Sequence, residues 1–174
     1  MRLSALTLFA VLLVSLPLAA REEEVPVLAG LSVEIASPAR FGKRALELTS
    51  VPVVVANRSA TEINVWREWC SWGWFQLSFE IRAGDGTVVT VRKKDRGWDK
   101  NYPDFWTLAP GEPLVLTANL LDFDTWAWSS PAANLREKTL EVRAVFFTEK
   151  DEASEEEEVP HGRAVSPWRR YELN

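Results

Sequence analysis

The chain has 174 residues, 20 basic and 25 acidic side chains, a formal net charge of −5, and a single cysteine and a single histidine. That length suits one domain with a proper hydrophobic core. A lone cysteine excludes an intrachain disulfide, one His with one Cys cannot build a zinc site unaided, and the acid excess argues against nucleic-acid binding, which needs a basic face.

Arg2 is followed by an apolar run from Leu3 to Leu16, then Pro17 and the small residues Ala19 and Ala20. This is the layout of a secretory signal peptide over residues 1–20. The run is shorter than the roughly 20 apolar residues that span a bilayer, so cleavage is expected, with no membrane span after signal removal. Localisation is therefore expected to be exported, either periplasmic or extracellular. Residues 21–174 are expected to form a single β-sandwich domain. Loss of Arg2 alone among the charged residues leaves 19 basic against 25 acidic groups. Seven acids and one base fall in Glu149 to Glu158, so the rest of that domain is neutral.

In chain order, Leu31, Val33 and Ile35 alternate with polar residues and predict a strand with one buried face. Pro52 opens the apolar run Val53 to Ala56, which stops at Asn57-Arg58-Ser59, also a glycosylation sequon in a eukaryotic host. Ile63 and Val65 suggest a further strand. In Phe75 to Arg82, the residues Phe75, Leu77, Phe79 and Ile81 alternate strictly with Gln76, Ser78, Glu80 and Arg82. The turn signal Ala83-Gly84-Asp85-Gly86 then predicts a hairpin with Thr87 to Val91. Arg92, Lys93, Lys94, Arg96 and Lys100 are interleaved with Asp95 and Asp99 and predict a solvated loop. Ala109-Pro110-Gly111-Glu112 is a turn that opens Leu114 to Thr117. One helical turn is expected from Pro131 to Lys138, and Leu140, Val142, Ala144 and Phe146 mark another strand. The acidic segment 149–158 predicts a self-repelling, mobile loop, and Tyr171 and Leu173 end the chain in a strand. The whole predicts an all-β, antiparallel β-sandwich of about seven or eight strands with little helix.

The apolar strand ending at Asn57-Arg58-Ser59, the hairpin at Asp85-Gly86, Leu108-Ala109-Pro110-Gly111-Glu112 before a strand, and the late Val142-Arg143-Ala144-Val145-Phe146 together carry a resemblance. They resemble the Ig-like, fibronectin III-like sandwiches of exported bacterial proteins and, more distantly, the bacterial intracellular proteinase inhibitors. The resemblance covers about residues 45 to 148 and implies the fold, with no functional residue transferred. Trp69-Cys70-Ser71-Trp72-Gly73-Trp74 and the missing cysteine pair depart from it.

Nine tryptophans are many for this length. They cluster at Trp66, Trp69, Trp72 and Trp74, at Trp98 and Trp106, and at Trp126 and Trp128, with Trp168 apart. If the strand at Phe75 extends backwards unbroken, Trp72 and Trp74 share the wet face and form a platform for sugar rings, with Asp99, Asp104, Asp122 or Asp124 as hydroxyl acceptors. If Gly73 breaks the strand, the indoles form a satellite core closing one end of the sandwich. His161 has no local catalytic partner, Cys70 reads as a buried small hydrophobe, and no metal, cofactor or catalytic residue is expected. The leading expectation is a non-enzymatic exported binding or scaffolding module for a glycan or another envelope protein, with Trp69, Trp72, Trp74 and Trp98 as ligand-binding residues. The alternatives are a glycan-active hydrolase with paired carboxylates from the four aspartates and a protease-inhibitor-like sandwich.

Overall fold

The computed structural model describes residues 25–36, 48–130 and 139–172. The expected signal segment, the helical turn at 131–138 and Leu173 lie outside the described residues. Eleven strands and two short helices follow in the order β1 (Leu31–Ile35), β2 (Val51–Asn57), β3 (Ile63–Trp66), α1 (Ser71–Trp74), β4 (Leu77–Arg82), β5 (Val88–Lys93), β6 (Phe105–Leu108), β7 (Pro113–Ala118), β8 (Trp126–Trp128), β9 (Thr139–Thr148), α2 (Glu152–Glu156), β10 (Gly162–Val165) and β11 (Arg169–Glu172). No helix among the described residues is long and apolar enough to cross a membrane.

The strands build an antiparallel sandwich. One sheet runs β1-β2-β7 and the other β10-β9-β4-β5-β8, with β11 pairing to the first half of β9 and β10 to the second. A separate two-stranded sheet, β3-β6, sits apart from both ladders. Val33, Ile35, Val53, Val55 and Leu116 of the smaller sheet share one apolar core with Phe79, Ile81, Val91, Val142 and Phe146 of the larger. Period-two alternation does this: in β4 the residues Leu77, Phe79 and Ile81 face inward while Ser78, Glu80 and Arg82 face outward.

The expected strands at 31–35, 53–56, 63–65, 87–91, 114–117 and 140–146 are present, and the one expected at 75–82 is present from Leu77. Five more elements were not foreseen: β6, β8, β10, α1 and α2. The outer face of the larger sheet is held by charge. Glu80 on β4 accepts from Arg143 at 2.7 Å and from Arg163 at 2.6 Å, and the guanidinium carbons of Arg82 and Arg143 lie 4.4 and 4.5 Å from the Trp168 ring centroid.

Two expectations are corrected by the structure. The alternating face expected from Phe75 to Arg82 does not reach Phe75: β4 starts at Leu77, Phe75 is exposed and Gln76 is buried, its amide donating to the Thr148 hydroxyl at 2.8 Å. The acidic segment is not a bare loop. Asp151 and Ser154 form a reciprocal capping box that starts α2, and Ser154 and Val159 are buried against the body. The cap supplies partners for the helix's first unsatisfied N–H groups, which offsets the repulsion among its glutamates.

Tyr171, opposite Leu140 in the β11–β9 ladder, is buried, and that burial raises its phenol from 10.0 to about 12, with Arg169 opposing. The folded chain thus keeps a proton that the unfolded chain releases. The resulting stability is intact below about pH 10 and is lost as pH climbs toward about 12. Tyr171→Phe is expected to flatten this alkaline decline, checked by urea midpoints at about pH 9 and about pH 11.

Candidate aromatic binding surface

After β3 ends at Trp66, the chain turns through residues 67–70 and makes the single helical turn α1 before entering β4. Asn101 clamps its start, accepting from the Ser71 N–H at 2.9 Å and donating to the Ser71 hydroxyl at 2.7 Å. Gly73 is buried against the Arg67 carbonyl, where a Cβ would overlap backbone atoms. Helical rotation of about 100° per residue sends Trp72 and Trp74 to opposite sides. The platform that shares the parity of Gln76 and Ser78 therefore does not form.

Each of the four expected ligand-binding indoles has its own surroundings. Trp69 is 54 % exposed; its Nε1–H donates to Asp104 Oδ2 at 2.7 Å and its ring meets Trp106 edge-on at 6.0 Å. Trp72 is half-buried, donates to Asp151 Oδ2 at 2.8 Å and tilts against Trp66 at 5.9 Å. Trp74 donates to the Lys94 carbonyl at 2.8 Å and packs edge-on to Trp98 at 6.3 Å. Among the described residues no ring contact joins Trp69, Trp72 and Trp74. The satellite core is there too, made of Trp66, Cys70 and Val159, with Trp72, Phe105 and Ala153 against it.

Cations order these rings. The Arg67 guanidinium carbon lies 3.9 Å from the Trp106 centroid and 4.8 Å from that of Trp69, and Arg67 Nε also bonds the Phe105 carbonyl at 2.9 Å. Arg96 lies 4.0 Å from both Trp74 and Trp98. Lys93, the last inward-facing residue of β5, is buried; its ammonium meets Glu68 at 2.6 Å and the Trp74 centroid at 4.3 Å. Part of the expected solvated basic loop is therefore structural. A guanidinium over an indole contributes about 0.5–1 kcal/mol at exposed sites, and here it also fixes the ring's orientation.

The four aspartates are split between two connections. Asp104 is engaged by Trp69 and, at 3.4 Å, by Arg67. Asp122 closes its own turn: hydrogen bonds from Thr125, and from the Asp124 N–H, hold its carboxyl below the usual range. Cys70 is buried, its thiol 3.1 Å from the Arg67 carbonyl, and His161 is exposed. Asn57, the sequon residue, is fully buried, with its Nδ2 donating to the carbonyls of Thr61 and Leu108. The folded chain offers no amide there for a glycan.

Two clefts flank α1. One, of about 170 Å³, lies between Trp69, Trp106 and Glu68 on one wall and Leu114 and Val115 of β7 on the other. The second, of about 280 Å³, is lined by Trp66, Trp72, Phe75, Phe147, Glu149 and Asp151. Sequence reasoning missed Arg67, Trp106, Phe75 and Phe147 as surface-forming residues. Phe147 did carry a signal: it follows the inward Phe146, so strand parity places it on the wet face. No protein-family model, no curated protein and no solved structure matches the chain.

Proposed function

We propose that this protein is a non-enzymatic, exported binding module that takes carbohydrate at the Trp69–Trp106 cleft. The observation that carries this reading is the pairing of exposure with immobilisation. Trp69 and Trp106 are 54 % and 39 % exposed, yet Arg67 lies over both rings and Asp104 holds the Trp69 N–H. A large apolar ring held rigid in water loses little conformational entropy on binding. Sugar rings present flat C–H faces to such a surface and ring it with hydroxyls. Glu68 in the lining, and Arg67 and Asp104 against the two rings, supply the few polar groups that orient a ligand in an aromatic cleft. The leader-like residues 1–20 support export.

Tryptophan fluorescence of the chain from residue 21, titrated with a panel of soluble polysaccharides under acrylamide quenching, tests this. One glycan is expected to shield a quenchable fraction, and Trp69→Ala is expected to weaken that binding by about tenfold, equivalent to about 1.4 kcal/mol. A panel with no binder, or Trp69→Ala binding as the parent does, defeats the carbohydrate reading.

A further inference from the structure

We infer that the second cleft beside α1 binds an alkylated ammonium ion. The reasoning starts from what the other aromatic groups share. Trp69 and Trp106 have Arg67, Trp74 and Trp98 have Arg96 with Lys93, and Trp168 has Arg82 and Arg143. The group formed by Trp66, Trp72, Phe75 and Phe147 differs. Among the described residues no Lys or Arg stacks on its rings, and its cleft is lined by Glu149 and Asp151 with no basic side chain.

The cleft therefore combines the two attractions that select an organic cation. Aromatic faces attract a positive charge through their quadrupoles, and carboxylates at the rim attract it through Coulomb's law. Phe75 and Phe147 are 45 % and 39 % exposed, so large apolar rings stand in water at the mouth. Among the described residues no ion pair reaches Glu149, whereas Lys150 beside it is paired with Glu155 at 3.1 Å. Helix α2 follows directly and adds further glutamates to this acidic segment. A bare ammonium or an alkali ion is strongly hydrated and must give up that hydration to reach the rings. A trimethylammonium group is weakly hydrated, carries its charge on methyl surfaces, and can enter a space of about 280 Å³. The adjacent acids favour choline over betaine, whose carboxylate lies one methylene from the ammonium and would meet them at close range. This cleft shares only Trp66 with the carbohydrate cleft, and the inference stands without that reading.

Choline and its neutral carbon isostere, 3,3-dimethylbutan-1-ol, separate charge from shape. Titration is followed on the indole N–H resonance of Trp72, whose proton points at Asp151, and on that of Trp69 as an internal reference. Choline is expected to shift the Trp72 signal saturably and leave Trp69 unmoved, while the isostere produces no saturable shift. Phe75→Ala, Phe147→Ala and Glu149→Gln, all at exposed positions, are each expected to weaken choline about two- to fivefold. The trimethylammonium group also occurs on lipids, so vesicles of phosphatidylcholine form a second arm. Binding to vesicles with the same variant pattern places the ligand on a membrane surface, and binding to free choline alone places it in solution; either supports the site. Equal binding of the isostere, shifts centred on Trp69, or no saturation with choline or vesicles overturns it.

Discussion

Gly73→Ala is expected to lower the unfolding free energy by about 3 kcal/mol or more. The reason is local and steric. A Cβ at this position would overlap the carbonyl carbon and oxygen of Arg67, which are backbone atoms and cannot swing aside as a side chain would. That carbonyl also accepts from the Cys70 N–H at 3.3 Å and lies against its thiol, so moving it disturbs the turn that launches α1. The damage should reach the Trp66–Trp72 contact and both clefts. Urea denaturation measures the stability loss, and near-UV circular dichroism reports the indole packing. Gly97→Ala is the control: a Cβ there meets nothing within 4 Å, and its effect is expected to stay within about 0.5 kcal/mol. Equal midpoints for the two variants would contradict the steric account.

Asn57→Asp is expected to be similarly damaging, for an electrostatic reason. The Asn57 amide donates to Thr61 at 2.7 Å and to Leu108 at 2.9 Å, and its Oδ1 accepts from the Ser59 N–H and hydroxyl, both at 2.8 Å. Its backbone N–H and carbonyl reach Glu112 and Gly111, so one buried residue joins the end of β2, the loop after it and the β6–β7 turn. Aspartate matches the shape but turns two donors into an acceptor facing carbonyls, at a residue that is fully buried. An uncompensated buried charge of this kind costs about 3–5 kcal/mol. Protonation relieves it, so the folded state raises this carboxyl's pKa and stability is recovered as pH falls. The gap between Asn57→Asp and the parent should therefore narrow between about pH 8 and about pH 5. Asn57→Ala, which leaves partners unsatisfied but adds no charge, should show a smaller loss without that pH dependence. Urea midpoints at the two pH values decide the matter.

Asn57 also shows where reading the chain stops short. As text it is the end of an apolar run and the head of a sequon. Its burial follows from Leu108, Gly111 and Glu112, which no local pattern connects to it. The acidic segment differs in kind: Asp151 and Ser154 have capping-box spacing, and Ala153 and Val159 provide apolar anchors, so α2 was legible in principle but was hidden by charge density. Gly73 marked the correct break in the aromatic stretch. Its written neighbours could not show that the break is a helical turn.

Residue order alone determined most of the strands, most of their inward faces and the turns at 83–86 and 109–112. In a strand the face of each residue is set by neighbours two positions away, and a turn needs only Gly, Pro, Asn or Asp at the right offset. Folding decided the rest: eleven strands in place of seven or eight, a third small sheet, a cation for most of the exposed tryptophans, and a cleft of aromatic rings and carboxylates beside α1. A guanidinium finds its indole, and a buried amide its carbonyls, through space rather than along the chain. The tertiary structure therefore chose which aromatic rings carry a cation and which do not.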